Sequence, residues 1–178
     1  MTHPLRWGVL GTAKINEKVL PHFSDSPTSR LQAIASRDPA RARAEAERFK
    51  IPRAYGNYAD LLTDREVEVI YLSLPNHLHF EWAKTALQAG KHVLCEKPLT
   101  LDPEEAKTLV RLTEKSDLRL AEGFMYRHHA QTARILSLIR DGVIGEVRRI
   151  HGSFHITLPP GPNIRTNART GGGAILDV

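Results

Sequence analysis

Short apolar runs alternate with amphipathic stretches along the first 122 residues of the chain. Six runs have the length and the apolar content of buried strands, and they span residues 7–10, 31–35, a short segment at 55, 67–74, 92–95 and 118–122. The stretches between them have the periodicity of helices of about 10 to 15 residues. Strands that alternate with such helices predict an α/β fold built on a doubly wound parallel sheet.

Capping residues mark several of the predicted helix ends. Asp38 followed by Pro39 predicts a helix start, because the carboxylate accepts from free amides and proline needs no N–H there. Asp102 and Glu105 have the spacing of a capping box. Gly90 suits the left-handed position that follows a helix. We therefore expect helices from the turn after residue 11 to about 23, over 39–49 and 78–89, and from 102 onward.

The pattern changes after Gly123. A helix is predicted over about 130–141 and a long, partly alternating strand over 147–156, and three glycines at 171–173 precede what resembles the start of another helix. A single helical turn is not stable in water, and the predicted strand has no evident partner. We therefore expect residues 1–122 to form one domain and residues 123–178 to be the incomplete beginning of a second domain in a longer protein.

Composition and charge exclude several classes of function. The 178 residues are 41% hydrophobic and 25% charged, with a formal net charge of +5, which is ordinary for a soluble globular chain. Basic residues such as Arg43 and Arg48 are interleaved with glutamates, so a solvated helix face explains the charge better than a nucleic-acid groove. The single cysteine, Cys95, lies in an apolar run and fits a buried thiol in a reducing compartment. Neither a signal peptide nor a membrane span is recognised, so we expect a cytoplasmic protein without a membrane partner.

The turn after the first strand has the position of a dinucleotide-binding fingerprint. Gly11 can supply the tight turn, and the small side chain of Ala13 lets a pyrophosphate approach the backbone. The match is incomplete, since Ala13 and Asn16 replace the second and third glycines, and a glycine turn without a nucleotide stays open as the alternative. The residues predicted to bind the cofactor in this turn are Gly11, Thr12, Ala13, Lys14 and Ile15.

The end of the second strand indicates which dinucleotide is preferred. A protein selective for NAD usually has an acidic residue here, whereas this chain has Ser36 and Arg37, with Arg41 one helical turn further on. Guanidinium groups suit a phosphate on the ribose, so we predict NADP rather than NAD as the cofactor. The alternative is that both arginines are ordinary surface residues. Asp38 is interpreted as the helix cap rather than as a ribose ligand.

Polar residues also follow the fourth and fifth strands, where open α/β sheets bind their ligands. Leu74 ends the fourth strand, and Asn76 and His79 follow it; Asn76 could instead cap the next helix, and His79 could simply pack. A metal site is not predicted, because nothing is spaced to complete a set with the histidines. Glu96 and Lys97 close the fifth strand, and a lysine beside a carboxylate can be tuned for proton chemistry or for holding a hydroxyl.

Five of these segments together, in order along the whole chain, resemble the Gfo/Idh/MocA family of glucose-fructose oxidoreductases and inositol dehydrogenases. The segments are Gly11 with Ala13, residues 75–79, 96–98, 122–127 and 171–178. Within the family, residues 36–38, 54–56, 93–98 and 163–165 are most similar to the branch that holds NADP-dependent D-xylose dehydrogenases and dimeric dihydrodiol dehydrogenases.

The resemblance implies a Rossmann domain followed by an α+β domain with a mostly antiparallel sheet that often forms the oligomer interface. It implies hydride transfer between NADP and a hydroxyl of a sugar, such as an aldose, or of a cyclic polyol. Lys97 would hydrogen-bond the reacting hydroxyl, Asp177 would hold a sugar hydroxyl or orient the base, and Glu96, Asn76, His79 and Arg165 would lie beside the cofactor.

The resemblance also places the general base, a tyrosine or histidine, one helical turn after Asp177. That position lies beyond Val178, so we expect these 178 residues to bind NADP with little turnover. The whole protein is expected to be a homo-oligomer that acts on a small sugar or polyol. The alternative is a non-catalytic, NADP-binding regulator or scaffold, which an apolar residue at the position of the base would favour.

Overall fold

A parallel sheet of six strands forms the centre of the computed structural model, which describes residues 3–158, 160–161 and 163–177. Its strands are β1 (Leu5–Leu10), β2 (Ser29–Ala35), β3 (Arg53–Tyr55), β4 (Val69–Leu72), β5 (His92–Cys95) and β6 (Leu120–Glu122). The helices are α1 (Asn16–Val19), α2 (Pro39–Arg48), α3 (Tyr58–Thr63), α4 (His79–Gln88), α5 (Pro103–Glu114), α6 (Ala130–Arg140) and α7 (Ala174–Asp177). Short 3₁₀ turns span Leu20–Phe23, Asn76–Leu78, Met125–His128, Ile164–Thr166 and Ala168–Thr170.

The strand order is β3-β2-β1-β4-β5-β6, and every pairing is parallel. The chain therefore builds one half of the sheet outward from β1, returns to the centre and builds the other half from β4. This arrangement places a topological switch point between β1 and β4, and ligands of such sheets bind at the carboxyl ends of the strands beside it. The predicted doubly wound parallel sheet is confirmed.

Helices cover both faces of the sheet, and each face has its own hydrophobic core. One core packs α3, α4 and α5 on the sheet through residues such as Leu61, Ala86 and Leu109, all fully buried. The other packs α2 and the 3₁₀ turn after α1 on the opposite face, around Ile34 and Tyr71. Because both faces are covered, β4 is buried at every position, as expected of a central parallel strand.

The predicted helix caps are present. The Asp38 carboxylate accepts from the amides of Ala40 at 2.9 Å and Arg41 at 3.3 Å, at the start of α2. Asp102 accepts from the amide of Glu104 at 2.7 Å, at the start of α5. Gly90 follows α4 with a φ of 76°. These local signals could be predicted because each involves neighbours in sequence.

Several element boundaries differ from the expectations by two or more residues, and the first helix and the fourth strand are two of them. The first helix begins at Asn16, and a 3₁₀ turn containing Pro21 continues it to Phe23. The fourth strand spans only Val69–Leu72, because the amide of Val67 bonds to the carbonyl of Asp64 in a turn instead of joining the sheet.

The prediction of a strand over 147–156 is wrong for the described structure. This segment has no hydrogen-bonded ladder, and no strand of the described residues lies beside it. A strand needs a neighbour to satisfy its backbone groups, so alternation alone does not form one. Its apolar side chains stay exposed, with Ile150 at 85% and Phe154 at 69% of full exposure. The antiparallel sheet and the domain division at residue 123 stay predictions. Within the described ranges, no helix has both the length and the apolar character needed to cross a membrane.

Glu68 is held at the amino-terminal edge of the sheet by three donors. Its carboxylate accepts from the amide and Nε of Arg6 at 3.0 and 3.1 Å and from Nε2 of His3 at 2.9 Å. Burial alone would raise the pKa of Glu68, but the bonds from Arg6 and His3 outweigh it and lower the pKa to about 2. A lowered pKa stabilises the folded state above the ordinary value of 4.5.

We expect Glu68→Gln to lower the free energy of unfolding by about 1 to 2 kcal/mol near neutral pH. This difference should shrink as the pH falls from 4.5 toward about 2, since the native carboxylate then becomes protonated as well. Urea denaturation across that range measures it, with Glu47→Gln on the exposed face of α2 as the control. A difference that is independent of pH would contradict the assignment.

Candidate cofactor site

Gly11 ends β1 in a backbone conformation that other residues rarely adopt. Its φ is 108°, and a Cβ at this position would lie 2.9 Å from Cδ2 of Leu74 and 3.1 Å from the carbonyl oxygen of Ser73. The turn is therefore pressed against the carboxyl end of β4, at the switch point of the sheet. Gly11 and Leu74, both predicted as site residues, lie in contact distance of one another. Absence of a side chain at residue 11 is what allows this close approach.

Asn16 holds the same turn from within. Its side chain is fully buried, and Nδ2 donates to the carbonyl oxygen of Gly11 at 2.9 Å. Its Oδ1 is buried and has no hydrogen-bond partner among the described residues. Sequence reasoning treated Asn16 only as a departure from a glycine pattern and missed this role. The sequence did offer a signal: Asn16 is a polar residue on the side of α1 that faces the sheet, and a buried polar residue needs a hydrogen-bond partner.

The remaining residues of the turn differ in solvent exposure. Lys14 is exposed, whereas Thr12, Ala13 and Ile15 are half-buried. Thr12 connects the turn to the next predicted group, because its carbonyl oxygen accepts from Nη2 of Arg41 at 3.1 Å.

Ser36, Arg37 and Arg41 lie together at the carboxyl end of β2. Ser36 is buried, and its Oγ accepts from the amide of Asp38 at 3.2 Å, which shapes the bend between β2 and α2. Arg37 is exposed in this bend, and Arg41 reaches back to Thr12. The Arg41 guanidinium therefore stands next to the glycine turn, Arg37 lies exposed in the neighbouring bend, and the carboxylate of Asp38 caps α2.

His79 joins the loops that follow β4 and β5. The ring is completely buried, with Nε2 2.7 Å from the carbonyl oxygen of Leu74 and Nδ1 2.6 Å from that of Pro98. Both nitrogens therefore lie against backbone carbonyls. The geometry supports a role for His79 in positioning the backbone around Leu74 and Lys97 rather than in touching a ligand itself.

Asn76 ties the sheet to the glycine run near the end of the chain. Its Nδ2 donates to the carbonyl oxygen of Gly171 at 2.9 Å. It is not a helix cap, since neither the 3₁₀ turn it begins nor α4 has a side-chain cap, and the interpretation of Asn76 as a cap is wrong. Gly171 has a φ of 77°, and a Cβ there would come within 2.5 Å of Leu101 and 3.0 Å of Asn76.

Glu96 and Lys97 follow β5 and are half-buried. The Glu96 carboxylate accepts from the hydroxyl of Tyr71 at 2.7 Å, a bond that was not predicted. The neighbouring strand end is fastened too, because Glu122 Oε1 accepts from the amide of Leu99 at 2.8 Å. Lys97 thus lies on a backbone held from both sides, which fixes the point from which its side chain extends.

Arg165 lies on the loop that contacts this edge through Gly171. Its carbonyl accepts from the amide of Gly173 at 2.9 Å, and a Cβ at Gly172 would come within 2.7 Å of the same carbonyl group. The Arg165 side chain is exposed. Asp177 ends α7, and the placement of its side chain lies outside what the structure describes.

Cys95 is not a nucleophile of this site. Its thiol is completely buried at the end of β5, and burial together with the charges of Glu96 and Glu122 raises the pKa of the thiol well above its usual value. A protonated, enclosed thiol is inert. Within the described ranges, no cluster of three or more histidine, cysteine or acidic side chains could hold a metal ion.

Comparison with known proteins gives the family. Residues 5–124 match the Gfo/Idh/MocA model, described as an oxidoreductase family with an NAD-binding Rossmann fold. The chain belongs to this family. The match covers all six strands of the sheet, together with the glycine turn after β1 and the residues that follow β5. The predicted family is therefore confirmed.

Several relatives are named as sugar-modifying enzymes. The chain is 43% identical to a dTDP-3,4-didehydro-2,6-dideoxy-alpha-D-glucose 3-reductase of Actinomadura kijaniata, over 99% of this chain and 53% of the relative. It is 39% identical to D-xylose 1-dehydrogenase (NADP(+)) 2 of Haloferax volcanii, over 98% of this chain and 54% of the relative. A crystal structure of a 3-ketoreductase from Actinomadura kijaniata in complex with NADP and TDP-benzene is 43% identical and superposes with a TM-score of 0.90, over 98% of this chain and 54% of that one. The chain thus spans about half the length of these relatives.

The described residues have the chemistry needed to hold such a cofactor. The cradle at Gly11 admits a phosphate close to the backbone, and the bond from Nδ2 of Asn16 to the carbonyl oxygen of Gly11 holds the shape of that turn. Arg37 and Arg41 offer the donors for a further phosphate at the end of β2. Across the switch point, Glu96 and Lys97 follow β5 at the same carboxyl edge of the sheet.

Proposed function

We propose that the protein containing this chain is an NADP-dependent oxidoreductase that transfers hydride between the nicotinamide and a hydroxyl or carbonyl carbon of a sugar or cyclic polyol. One observation carries the proposal: the glycine turn, the arginine pair and Lys97 stand along one carboxyl edge of the sheet, on both sides of its switch point. A dinucleotide laid across that edge reaches all three.

The cofactor supplies or accepts the hydride when it is bound, and the residues of the chain hold the reactants and manage the proton. Lys97 is positioned to hydrogen-bond the reacting oxygen, so its positive charge stabilises the developing alkoxide in one direction and the carbonyl oxygen in the other. Asp177 holds a neighbouring sugar hydroxyl or orients the base. Glu96, Asn76, Leu74 and Arg165 would line the nicotinamide side, while His79 holds the backbone at Leu74 and Pro98.

Two groups of sugar substrate are consistent with the family. The two relatives described above are named for a nucleotide-linked deoxysugar and for D-xylose. The shared chemistry is a sugar-ring carbon that changes between a hydroxyl-bearing form and a carbonyl form, and whose oxygen a lysine can hydrogen-bond. The first group contains free aldoses similar to D-xylose, and the second contains nucleotide-linked ketosugars. Only the second group has a diphosphate and a base.

This proposal is tested by measuring the activity of the whole protein that contains this chain. Consumption of NADPH is followed at 340 nm with nucleotide-linked ketosugars, and formation of NADPH is followed with aldoses and cyclic polyols. Turnover that depends on any of these supports the proposed activity, and the arm that gives the higher kcat/KM identifies the substrate group. Tight NADPH binding without turnover in any arm would instead support a regulator or scaffold.

The arginine pair should account for the choice between NADP and NAD. We expect Arg37→Ala with Arg41→Ala to raise the Kd for NADPH about 10- to 100-fold, because two charged donors to a phosphate are lost, while the Kd for NADH changes less than about 3-fold. Fluorescence titration measures both constants. Arg43→Ala, on the same helix and also exposed, is the matched control. An equal loss of affinity for both cofactors would show that the pair does not recognise a phosphate.

A further inference from the structure

Tyr71 is a polar side chain in the middle of an apolar sheet. It belongs to β4, whose four residues are Val, Ile, Tyr and Leu, and only 1% of its surface is exposed. Its ring packs in the core around Val9 and Ile34, where a phenylalanine would fill nearly the same volume. What a tyrosine adds at this position is the hydroxyl, and a buried tyrosine hydroxyl generally serves a specific partner.

The partner of Tyr71 is Glu96. The hydroxyl donates to Oε1 of Glu96 at 2.7 Å. In the register of β4 and β5, Tyr71 lies opposite Leu94, so Glu96 is two residues further along the same face of the sheet. The hydroxyl therefore reaches Glu96 along one face of the sheet, from the core to its carboxyl edge.

Glu96 is fixed by its backbone and its surroundings as well. Its amide donates to the carbonyl of Leu72 at 2.9 Å, which extends the pairing of β5 with β4 by one residue. Gly123 passes close by, since a Cβ there would lie 3.5 Å from Glu96 Oε1 and 3.3 Å from the carbonyl of Cys95. The carboxylate therefore occupies a narrow slot between Tyr71 and Gly123, next to Lys97.

The hydroxyl of Tyr71 remains a donor under all physiological conditions. Burial raises its pKa, and the negative charge of Glu96 raises it further, to a value far above the physiological range. Glu96, as an ionised carboxylate, can only accept at this contact. The bond therefore has one direction, from tyrosine to carboxylate, and withdraws part of the negative charge from Glu96.

We propose that Tyr71 is a positioning residue that acts through Glu96 to set the relative affinity of the site for the oxidised and reduced forms of the cofactor. The inference rests on the proposed function, which puts the nicotinamide over the ends of β4 and β5. An oxidised nicotinamide ring has a positive charge and a reduced one has none, so a carboxylate beside the ring favours the oxidised form. Tyr71 weakens that preference by sharing the carboxylate charge.

The test is a double-mutant cycle on the two residues, with separate Kd values for NADP⁺ by calorimetry and for NADPH by fluorescence. Tyr71→Phe is expected to raise the ratio of the NADPH Kd to the NADP⁺ Kd about 3- to 10-fold, which corresponds to the net strength of one ordinary hydrogen bond. Glu96→Gln is expected to lower this ratio. In the Glu96→Gln background, Tyr71→Phe should leave the ratio unchanged.

A purely structural role of Tyr71 predicts a different result. Both affinities would then fall by the same factor, with or without the Glu96 substitution, and that outcome would overturn the inference. Tyr58→Phe is the matched control, because Tyr58 is similarly buried at 7% exposure but lies in the core on the opposite face. Thermal unfolding of each variant verifies that it is folded.

The cycle also separates this inference from the function on which it rests. If the unaltered, folded protein binds neither NADP⁺ nor NADPH, the proposed function fails. If it binds both and Tyr71→Phe does not move their ratio, the proposed function stands and the role of Tyr71 is refuted.

Discussion

Replacing Lys97 with methionine should lower turnover at least about 100-fold while the Kd for NADPH changes only a few-fold. Methionine keeps most of the length of the side chain and removes its charge, so the reacting oxygen loses the cation that stabilises its alkoxide form. Lys97 lies between two anchored segments, with Tyr71 bound to Glu96 on one side and Leu99 bound to Glu122 on the other. The backbone should therefore keep its position when the ammonium group is lost.

Steady-state kinetics of the protein that contains this chain measure this effect as a loss in kcat. Lys107→Met is the control, since Lys107 is an exposed lysine on α5 whose ammonium pairs with Glu104 on the same helix. It should retain activity within about 2-fold. If Lys97→Met kept comparable turnover and only raised the KM for substrate, Lys97 would be a binding residue that contributes equally to ground and transition states.

Replacing Gly11 with alanine should raise the Kd for NADPH at least about 30-fold. Two physical effects act together at this position. The φ of 108° is strained for any residue with a Cβ, and the new methyl would lie 2.9 Å from Leu74 and 3.1 Å from the carbonyl of Ser73. The turn must then move away from β4, which displaces the backbone that a phosphate would approach. Loss of even one or two well-placed amide contacts to an anion accounts for an effect of this size.

Gly90→Ala separates these two effects. Gly90 also has a positive φ, of 76°, but a Cβ there would meet nothing within 4 Å, and the residue lies at the end of α4. Both variants should lose about 1 kcal/mol or more of folding free energy from the backbone strain alone. Only Gly11→Ala should lose affinity for NADPH. Equal affinity in Gly11→Ala and the unaltered chain would show that the turn does not contact the cofactor.

The features that sequence reasoning predicted correctly are those with local causes. The apolar runs and the spacing of the helices indicated a parallel sheet, and the glycine at residue 11 and the caps at Asp38 and Asp102 were each evident from a few neighbouring residues. Their energies come from backbone conformation and from short-range hydrogen bonds. Such terms act in the same way in almost any fold, so a pattern in the sequence is sufficient to identify them.

Two of the features that were missed join segments far apart in the chain. Asn76 bonds to Gly171 across 95 residues, and Tyr71 bonds to Glu96 across 25. Both bonds depend on the register of strands and loops, which no local pattern specifies. A tyrosine within an aliphatic strand did signal that a partner was needed, but the identity of that partner required the pairing of β4 with β5.

The predicted strand over 147–156 shows the opposite error, in which a local pattern was given too much weight. Its alternation fits a half-buried strand, yet the apolar side chains of Ile150 and Phe154 stay exposed. Alternation of apolar and polar residues shows only that one face of a segment could be buried if a neighbouring strand and a core were present. Formation of the strand depends on the partner, so the sequence of the segment alone could not decide it.

The central claim, that this chain forms an NADP site along the carboxyl edge of its sheet, is tested most directly by titrating the 178 residues with NADPH and with NADH. Binding is followed by cofactor fluorescence, and circular dichroism verifies that the sample is folded. The account predicts saturable binding with a Kd for NADPH at least about 10-fold below that for NADH, the difference expected from the arginine contacts to one phosphate. A folded sample that binds neither cofactor would contradict the site itself, and a preference for NADH would contradict the role of Arg37 and Arg41.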